Sequence, residues 1–215
     1  MKNFFLLLIF FSISFFSHSQ TYIKGNATYA LFAIPSFGIE VGIGEKTTFQ
    51  LDATMSFWNS ITLGSKPNFQ KRPFIFNYVF PEFRYYFKEK NDGFYLGAHT
   101  GVGMFKLSKN KGYASANRYQ YGYIFFTGIT TGYQWKFKER WLLDLFLSGG
   151  WSNANYIGFD RDTQTRVDDD LIVYNPDGSP TPGGGSIPTN IRKGYNYSAQ
   201  WIPYRGGIMI GYKLN

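Results

Sequence analysis

No cysteine occurs anywhere in the 215 residues. Disulfide staples, thiolate metal sites and thiol chemistry are therefore excluded. Histidine is nearly as scarce, with His18 and His99 the only two. Past the N-terminal segment there is no apolar run of the ~18 or more residues that marks a transmembrane helix. Mean hydropathy is −0.25, so a hydropathy plot gives no membrane signal. Charge is sparse at 17%, whereas aromatic residues reach 21% and glycine counts 24. Both exceed ordinary globular usage. The length bounds the chain to one domain.

The first nineteen residues stand apart from the rest. Met1-Lys2-Asn3 is a charged start, Phe4 to Phe16 an apolar run, and Ser17-His18-Ser19-Gln20 a stretch of small and polar residues. This is the grammar of a cleaved secretory signal peptide. Cleavage after Ser19 is expected, leaving residues 20–215 as the mature chain. The run is too short to span a bilayer. No Cys follows it, so the mature chain is not a lipoprotein.

The clearest pattern lies between Tyr78 and Met104. Val79, Pro81, Phe83, Tyr85 and Phe87 alternate with Glu82, Arg84, Tyr86 and Lys88. After the turn Glu89-Lys90-Asn91-Asp92-Gly93, Phe94, Leu96, Ala98, Thr100, Val102 and Met104 alternate with Tyr95, Gly97, His99, Gly101 and Gly103. Period two over this length predicts strands. One face is bulky and apolar. The other mixes glycine with charge, which suits a narrow polar interior better than a solvated surface.

The same alternation recurs along the chain. A first strand sets Ile23, Gly25, Ala27, Tyr29 and Leu31 against Lys24, Asn26 and Thr28. A second sets Phe37, Ile39, Val41 and Ile43 against Gly38, Glu40 and Gly42. A third sets Phe49 to Phe57 against Gln50 to Ser56. A sixth turns Ile129, Tyr133 and Trp135 outward. A seventh turns Trp141, Leu143, Leu145, Leu147 and Trp151 outward, with Asp144, Ser148 and Gly150 inward. The last sets Tyr204, Ile208, Ile210, Tyr212 and Leu214 against Arg205, Gly207, Gly211 and Lys213. Eight strands result. After a short first turn the connections alternate short and long, the last long loop running from about 153 to 194. Sorted loops and an even strand number predict an all-β, eight-stranded antiparallel up-and-down transmembrane β-barrel. Both termini then fall on the short-turn, periplasmic side. Pro81 cannot donate to a ladder, so a bulge or a local break is expected there.

The segments Phe37-Gly38-Ile39-Glu40-Val41-Gly42-Ile43-Gly44, Pro81-Glu82-Phe83-Arg84-Tyr85-Tyr86, Gly132-Tyr133-Gln134-Trp135 and Arg140-Trp141-Leu142-Leu143-Asp144 resemble the small outer-membrane barrels of uncharacterised function found in Bacteroidota. The resemblance covers most of the mature chain. It implies an outer-membrane location and no agreed biochemical activity. Its long last loop departs from that pattern, and without Cys it is not pinned by the disulfide the resemblance implies for some relatives. The OmpA- and OmpX-like barrels are similar in architecture only.

The candidate functional residues follow from the faces. Lys24, Glu40, Asp52, Glu82, Arg84, Asp144 and Arg205, with His99, are expected to line the lumen. An eight-stranded interior is just filled by side chains, so these charges are read as a paired plug; a gated ion path is the alternative. Tyr85, Phe87, Tyr133, Trp135, Trp141, Trp151 and Tyr212 are read as an aromatic girdle. His99 has no adjacent Ser, so a hydrogen-bonded lumen histidine is expected and no catalytic residue is assigned. Lys66, Lys71 and Arg72 form one basic loop, and Lys106, Lys109, Lys111 and Arg118 another. With a net charge of +8, these loops are matched to anionic lipopolysaccharide or to solvent. Nucleic acid is not an expected partner. Asp160-Arg161-Asp162 and Asp168-Asp169-Asp170 lack the spacing of a calcium loop, and Pro180 to Gly185 carries no packing signal. Leu171-Ile172-Val173-Tyr174 leaves room for one further hairpin.

The functional expectation is a monomeric, non-enzymatic outer-membrane barrel without cofactor or metal. Its role is structural, or interactional through a protein partner at the long loops. A lipid-modifying enzyme, a narrow pore and a soluble secreted barrel holding a lipophilic ligand are the alternatives.

Overall fold

The computed structural model describes residues 20–58, 73–108, 118–160, 163–166 and 196–214. The described residues are all-β apart from one helical turn. Its strands are β1 (Thr21–Asn26), β2 (Ser36–Gly42), β3 (Thr47–Trp58), β4 (Phe74–Tyr86), β5 (Gly93–Ser108), β6 (Arg118–Lys138), β7 (Trp141–Asp160) and β8 (Asn196–Lys213). Each pairs antiparallel with the next, and β1 pairs with β8, so the sheet closes into an up-and-down ring. The expected signal segment at residues 1–19, the connections after β3 and β5, most of the connection before β8, and the further hairpin allowed for at 171–174 lie outside the described residues.

Alternation explains why these stretches become strands. Along β5 every second side chain is buried, from Gly93 and Tyr95 through His99 to Gly101, while Phe94, Leu96 and Val102 are exposed. Glycines on the inner face let neighbouring large side chains lie flat. A Cβ on Gly101 would collide with the Phe80 ring. The β4–β5 turn is closed by residues that tolerate a left-handed backbone, Asn91 at φ 62° and Gly93 at φ 91°. Lys88 donates to Asp92 across it at 2.5 Å. That hydrogen bond holds the exposed ammonium above its ordinary pKa.

Four features differ from the sequence pattern. First, β1 stops at Asn26. The Asn26 Oδ1 accepts from the Tyr29 amide at 3.2 Å, an N-cap that starts the helical turn α1 (Ala27–Ala30). Ala27, Tyr29 and Leu31 thus leave the sheet they were expected to extend. Second, β7 continues through Asp160, so the last long loop begins well after Asn153. Third, Lys106 and Arg118 belong to β5 and β6, not to the loop between them. The β4–β5 ladder skips Phe80 and Pro81 without a change of register, which is the local break expected at the proline, without a bulge.

The fourth difference is the most consequential for the interior. Ser148 pairs with Arg205, but Gly149 pairs with Pro203. Tyr204 is the extra residue of a β-bulge. It was expected to face outward beside Ile208. Instead its ring packs on Phe126 at 4.7 Å and Phe80 at 6.1 Å inside the ring. Both Tyr204 and Arg205 therefore serve the interior, one on each side of the parity switch.

The ring is lopsided. β1 and β2 have 6 and 7 residues, whereas β6 and β7 have 21 and 20. The wall is low where α1 crosses between β1 and β2, and tall opposite it.

Candidate functional site: an ion-paired interior

The inward faces of six strands converge on one buried charge cluster. Lys24 of β1, Glu40 of β2, Asp52 of β3, Glu82 and Arg84 of β4, Asp144 of β7 and Arg205 of β8 are all at most 5% exposed. Ions taken out of water are tolerated only when paired and hydrogen-bonded, and the geometry supplies both.

Two sub-clusters form. In the first, Lys24 lies between Glu40 and Asp144, with its Nζ 2.8 Å from Asp144 Oδ2 and 3.0 Å from Gln50 Oε1. Arg84 Nη1 donates to the same Asp144 oxygen at 2.7 Å. The remaining lone pairs are filled by neutral donors. Thr48 and Tyr86 donate to Glu40 Oε1 at 2.5 and 2.6 Å. Tyr95 donates to Asp144 Oδ1 at 2.9 Å. Gln134 Nε2 reaches both carboxylates, at 3.1 and 3.0 Å.

In the second sub-cluster Arg205 joins Asp52, at 3.0 Å, and Glu82. Gln50 Nε2 closes on both Asp52 oxygens at 2.7 and 2.8 Å. The Arg205 guanidinium lies over the Phe80 ring at 4.8 Å. Arg84 links the two groups, because its Nε donates to Glu82 at 2.6 Å while its guanidinium covers Tyr95 at 4.5 Å.

His99 sits on the edge of this cluster and touches no ion directly. Its Nδ1 is 3.0 Å from Thr130 Oγ1 and its Nε2 is 2.6 Å from the Tyr204 hydroxyl. Thr130 has one proton, and Glu82 Oε2 at 3.0 Å can only accept it. Thr130 must then accept from His99, which places the imidazole proton on Nδ1 and leaves Nε2 to accept from Tyr204. Ser148, far in sequence, bonds the same Thr130 at 2.8 Å. Ser148 and His99 are thus joined only through a threonine, and both are buried.

Gln50, Gln134, Thr48, Tyr86, Tyr95, Thr130 and Tyr204 were not singled out from sequence. All but Tyr204 share the strand parity of the charges, which is the signal that finds them. The residues read as a girdle lie on the outer face. Tyr85 pairs with Phe87 at 5.8 Å, Tyr133 with Trp135 at 4.6 Å and Trp141 with Tyr212 at 5.0 Å. These six sit at the short-turn end of their strands. Trp151 is separate, facing Trp201 at 5.7 Å further along β7.

Of the loop cations, Lys106 lies over the Tyr119 ring at 4.6 Å; Lys66, Lys71, Arg72, Lys109 and Lys111 lie outside the described residues. Asp160 accepts from Thr163 N at 3.0 Å as a local turn. Among the described residues no cluster of acidic or histidine side chains is arranged to hold a metal ion.

Residues 4–171 match the model of a family described as "Protein of unknown function (DUF3575)". No curated protein and no solved structure matches the chain.

Proposed function

From the premise that this chain belongs to the DUF3575 family of proteins of unknown function, we propose that it is a non-enzymatic outer-membrane β-barrel with a plugged lumen. It stabilises the envelope or presents its long loops to a partner.

The observation that carries this reading is the division of charge between the two faces. Lys24, Glu40, Asp52, Glu82, Arg84, Asp144 and Arg205 are inside. The outer face of β7 reads Trp141, Leu143, Leu145, Leu147, Gly149 and Trp151, and that of β5 from Phe94 to Met104 is likewise uncharged. Leu145 and Leu147 are 48% and 59% exposed. Large aliphatic side chains in that number are costly against water and favoured against hydrocarbon. Trp141 and Trp151 are ten residues apart on one strand. At ~3.3 Å per residue and ~40° of tilt they are about 25 Å apart along the barrel axis, the height of an apolar band between two aromatic girdles. The signal-like segment at residues 1–19 supports export. The OmpA/OmpX-like architecture and the likeness to Bacteroidota barrels belong to the same proposal. So do a monomeric state and contact of the basic loops with lipopolysaccharide.

The ion-paired interior supports a plug over a pore, since each of those seven charges has a partner of opposite sign. Ser148 and His99 are buried and joined only through Thr130, which supports a structural histidine over a hydrolase. The test is reconstitution of the purified protein in planar bilayers together with envelope fractionation. We expect recovery with the outer membrane and no steady unitary conductance. Recovery with soluble periplasmic protein would overturn the membrane assignment, and discrete channel openings would overturn the plug.

A further inference from the structure

We infer that the β1–β2 connection is embedded in the bilayer, and that its apolar tip, Leu31 and Phe32, packs against lipid acyl chains because β1 and β2 are too short to span the hydrocarbon. The inference rests on the membrane reading above and goes beyond it.

Strand length sets the problem. β1 has 6 residues and β2 has 7. At ~3.3 Å per residue and ~40° of tilt, β2 rises about 15 Å, short of the ~25 Å apolar band. The connection must complete this part of the wall. Its level is fixed by β3. Pro35 O accepts from Met55 N at 2.9 Å, and Met55 is eight residues along β3 from Thr47, the partner of the girdle residue Tyr85. The same rise and tilt put that junction about 20 Å above the girdle, still inside the band. Trp58 Nε1 donates to Phe32 O at 3.2 Å and Ile208 N to Thr28 Oγ1 at 3.0 Å, which pins the connection to the wall on both sides.

The connection has the chemistry that this depth demands. From Ala27 to Ile39 the sequence holds no charged residue, whereas the other three connections on this side carry Lys66, Lys71 and Arg72, or Lys109 and Lys111, or Asp168 to Asp170. Backbone polar groups in hydrocarbon must be satisfied within the protein. Asn26 caps the start of α1. At its end Ala33 N donates to Ala30 O and Ile34 N to Tyr29 O, both at 3.0 Å, with Ala33 in the left-handed region at φ 51°. This is a Schellman closure, which occupies carbonyls that a helix end otherwise leaves open. Leu31 N and Phe32 N donate to Ala27 O and Tyr29 O, and Pro35 has no amide proton. A turn that meets water commonly sets glycine or asparagine at the left-handed position; here it is alanine. The tip side chains are exposed, Leu31 at 84% and Phe32 at 65%, and the outward faces beside them carry Phe37 of β2 and Phe57 of β3, at 61% and 67%. Large apolar side chains gathered in this way are costly against water and favoured against hydrocarbon.

The test exploits the absence of cysteine, which makes any introduced thiol unique. Leu31→Cys, Phe32→Cys, Val102→Cys and Lys136→Cys are each given a nitroxide label in the full protein, reconstituted in vesicles of phosphatidylethanolamine and phosphatidylglycerol. All four side chains are exposed, so the label displaces no packed group. Power saturation then compares collisions with oxygen, which partitions into hydrocarbon, and with a water-soluble nickel chelate. Oxygen is expected to dominate at positions 31 and 32, as at the outer-face position 102, and the chelate at the turn position 136. Chelate dominance at 31 and 32 with oxygen dominance at 102 overturns the inference and leaves the membrane barrel standing. Labels at 31 and 32 shielded from both reagents would show a tip covered by protein and overturn it equally. Chelate dominance at 102 overturns the membrane reading and this inference with it.

Discussion

Arg205 on β8 and Glu82 on β4 form an ion pair between strands four places apart in a closed ring of eight. The contact crosses the interior from one wall to the opposite one. No local ladder can supply it, so it ties the closure of the ring to the packing of its contents. Arg205 also holds Asp52. Arg205→Ala would leave the buried Asp52 without its cation and Glu82 with Arg84 alone. A loss of about 3–5 kcal/mol in unfolding free energy is expected, measured by urea or guanidinium titration in detergent micelles. Replacing all three residues by neutral partners, Arg205→Met with Glu82→Gln and Asp52→Asn, should recover most of that loss. If the single change is neutral, the pair does not hold the walls together.

The hydrogen-bond chain around His99 fixes a tautomer. Glu82 takes the Thr130 proton, so His99 carries its own on Nδ1. Nitrogen NMR of the labelled imidazole should show a protonated Nδ1 and a bare Nε2. His99→Phe should cost about 1–3 kcal/mol, because the Tyr204 hydroxyl is stranded. Tyr204→Phe should cost a similar amount, since it strands the buried His99 Nε2 acceptor instead. A protonated Nε2 would contradict the arrangement.

How much of this was legible in the sequence follows from parity. Where the strand is regular, as from Glu82 to Tyr86, period two names the inward residues directly. It failed at Tyr204, because one inserted residue switches the face and a bulge has no compositional mark of its own. It failed again at Ala27 to Leu31, where the alternation continues on paper. There an asparagine cap and a single hydrogen bond redirect the chain. The neutral donors Gln50, Gln134, Thr48 and Tyr95 were overlooked because charge was used to find the cluster. A buried carboxylate also needs its other lone pairs filled, and these four residues help to fill them. Which walls face one another was never in the pattern, since pairing across the interior depends on ring closure.

Close packing of glycine under aromatic rings gives a third prediction. Gly101→Val would place its Cβ about where the Phe80 ring lies. It should destabilise by about 1–3 kcal/mol. Adding Phe80→Ala should recover part of that loss, and a double-mutant cycle should give a coupling of about 1 kcal/mol or more. Strict additivity would mean that the two positions do not share one space.

The two faces of β7 give a fourth. Leu145→Arg places a charge midway between Trp141 and Trp151 on the outer surface. In a bilayer it should cost about 2–4 kcal/mol, whereas the same change at the exposed Lys136 position should cost almost nothing. Refolding into vesicles followed by denaturant titration measures both. Equal, small effects at the two sites would show that the outer face meets water.

The most direct test of the central claim is gel mobility with and without boiling, on protein recovered from the separated outer membrane. A closed barrel whose walls are locked by buried ion pairs should remain folded in cold dodecyl sulfate and migrate at a different position once boiled. Recovery in that fraction with a heat-dependent shift is the predicted result. Protein found in the soluble periplasm, with the same mobility before and after boiling, would contradict it.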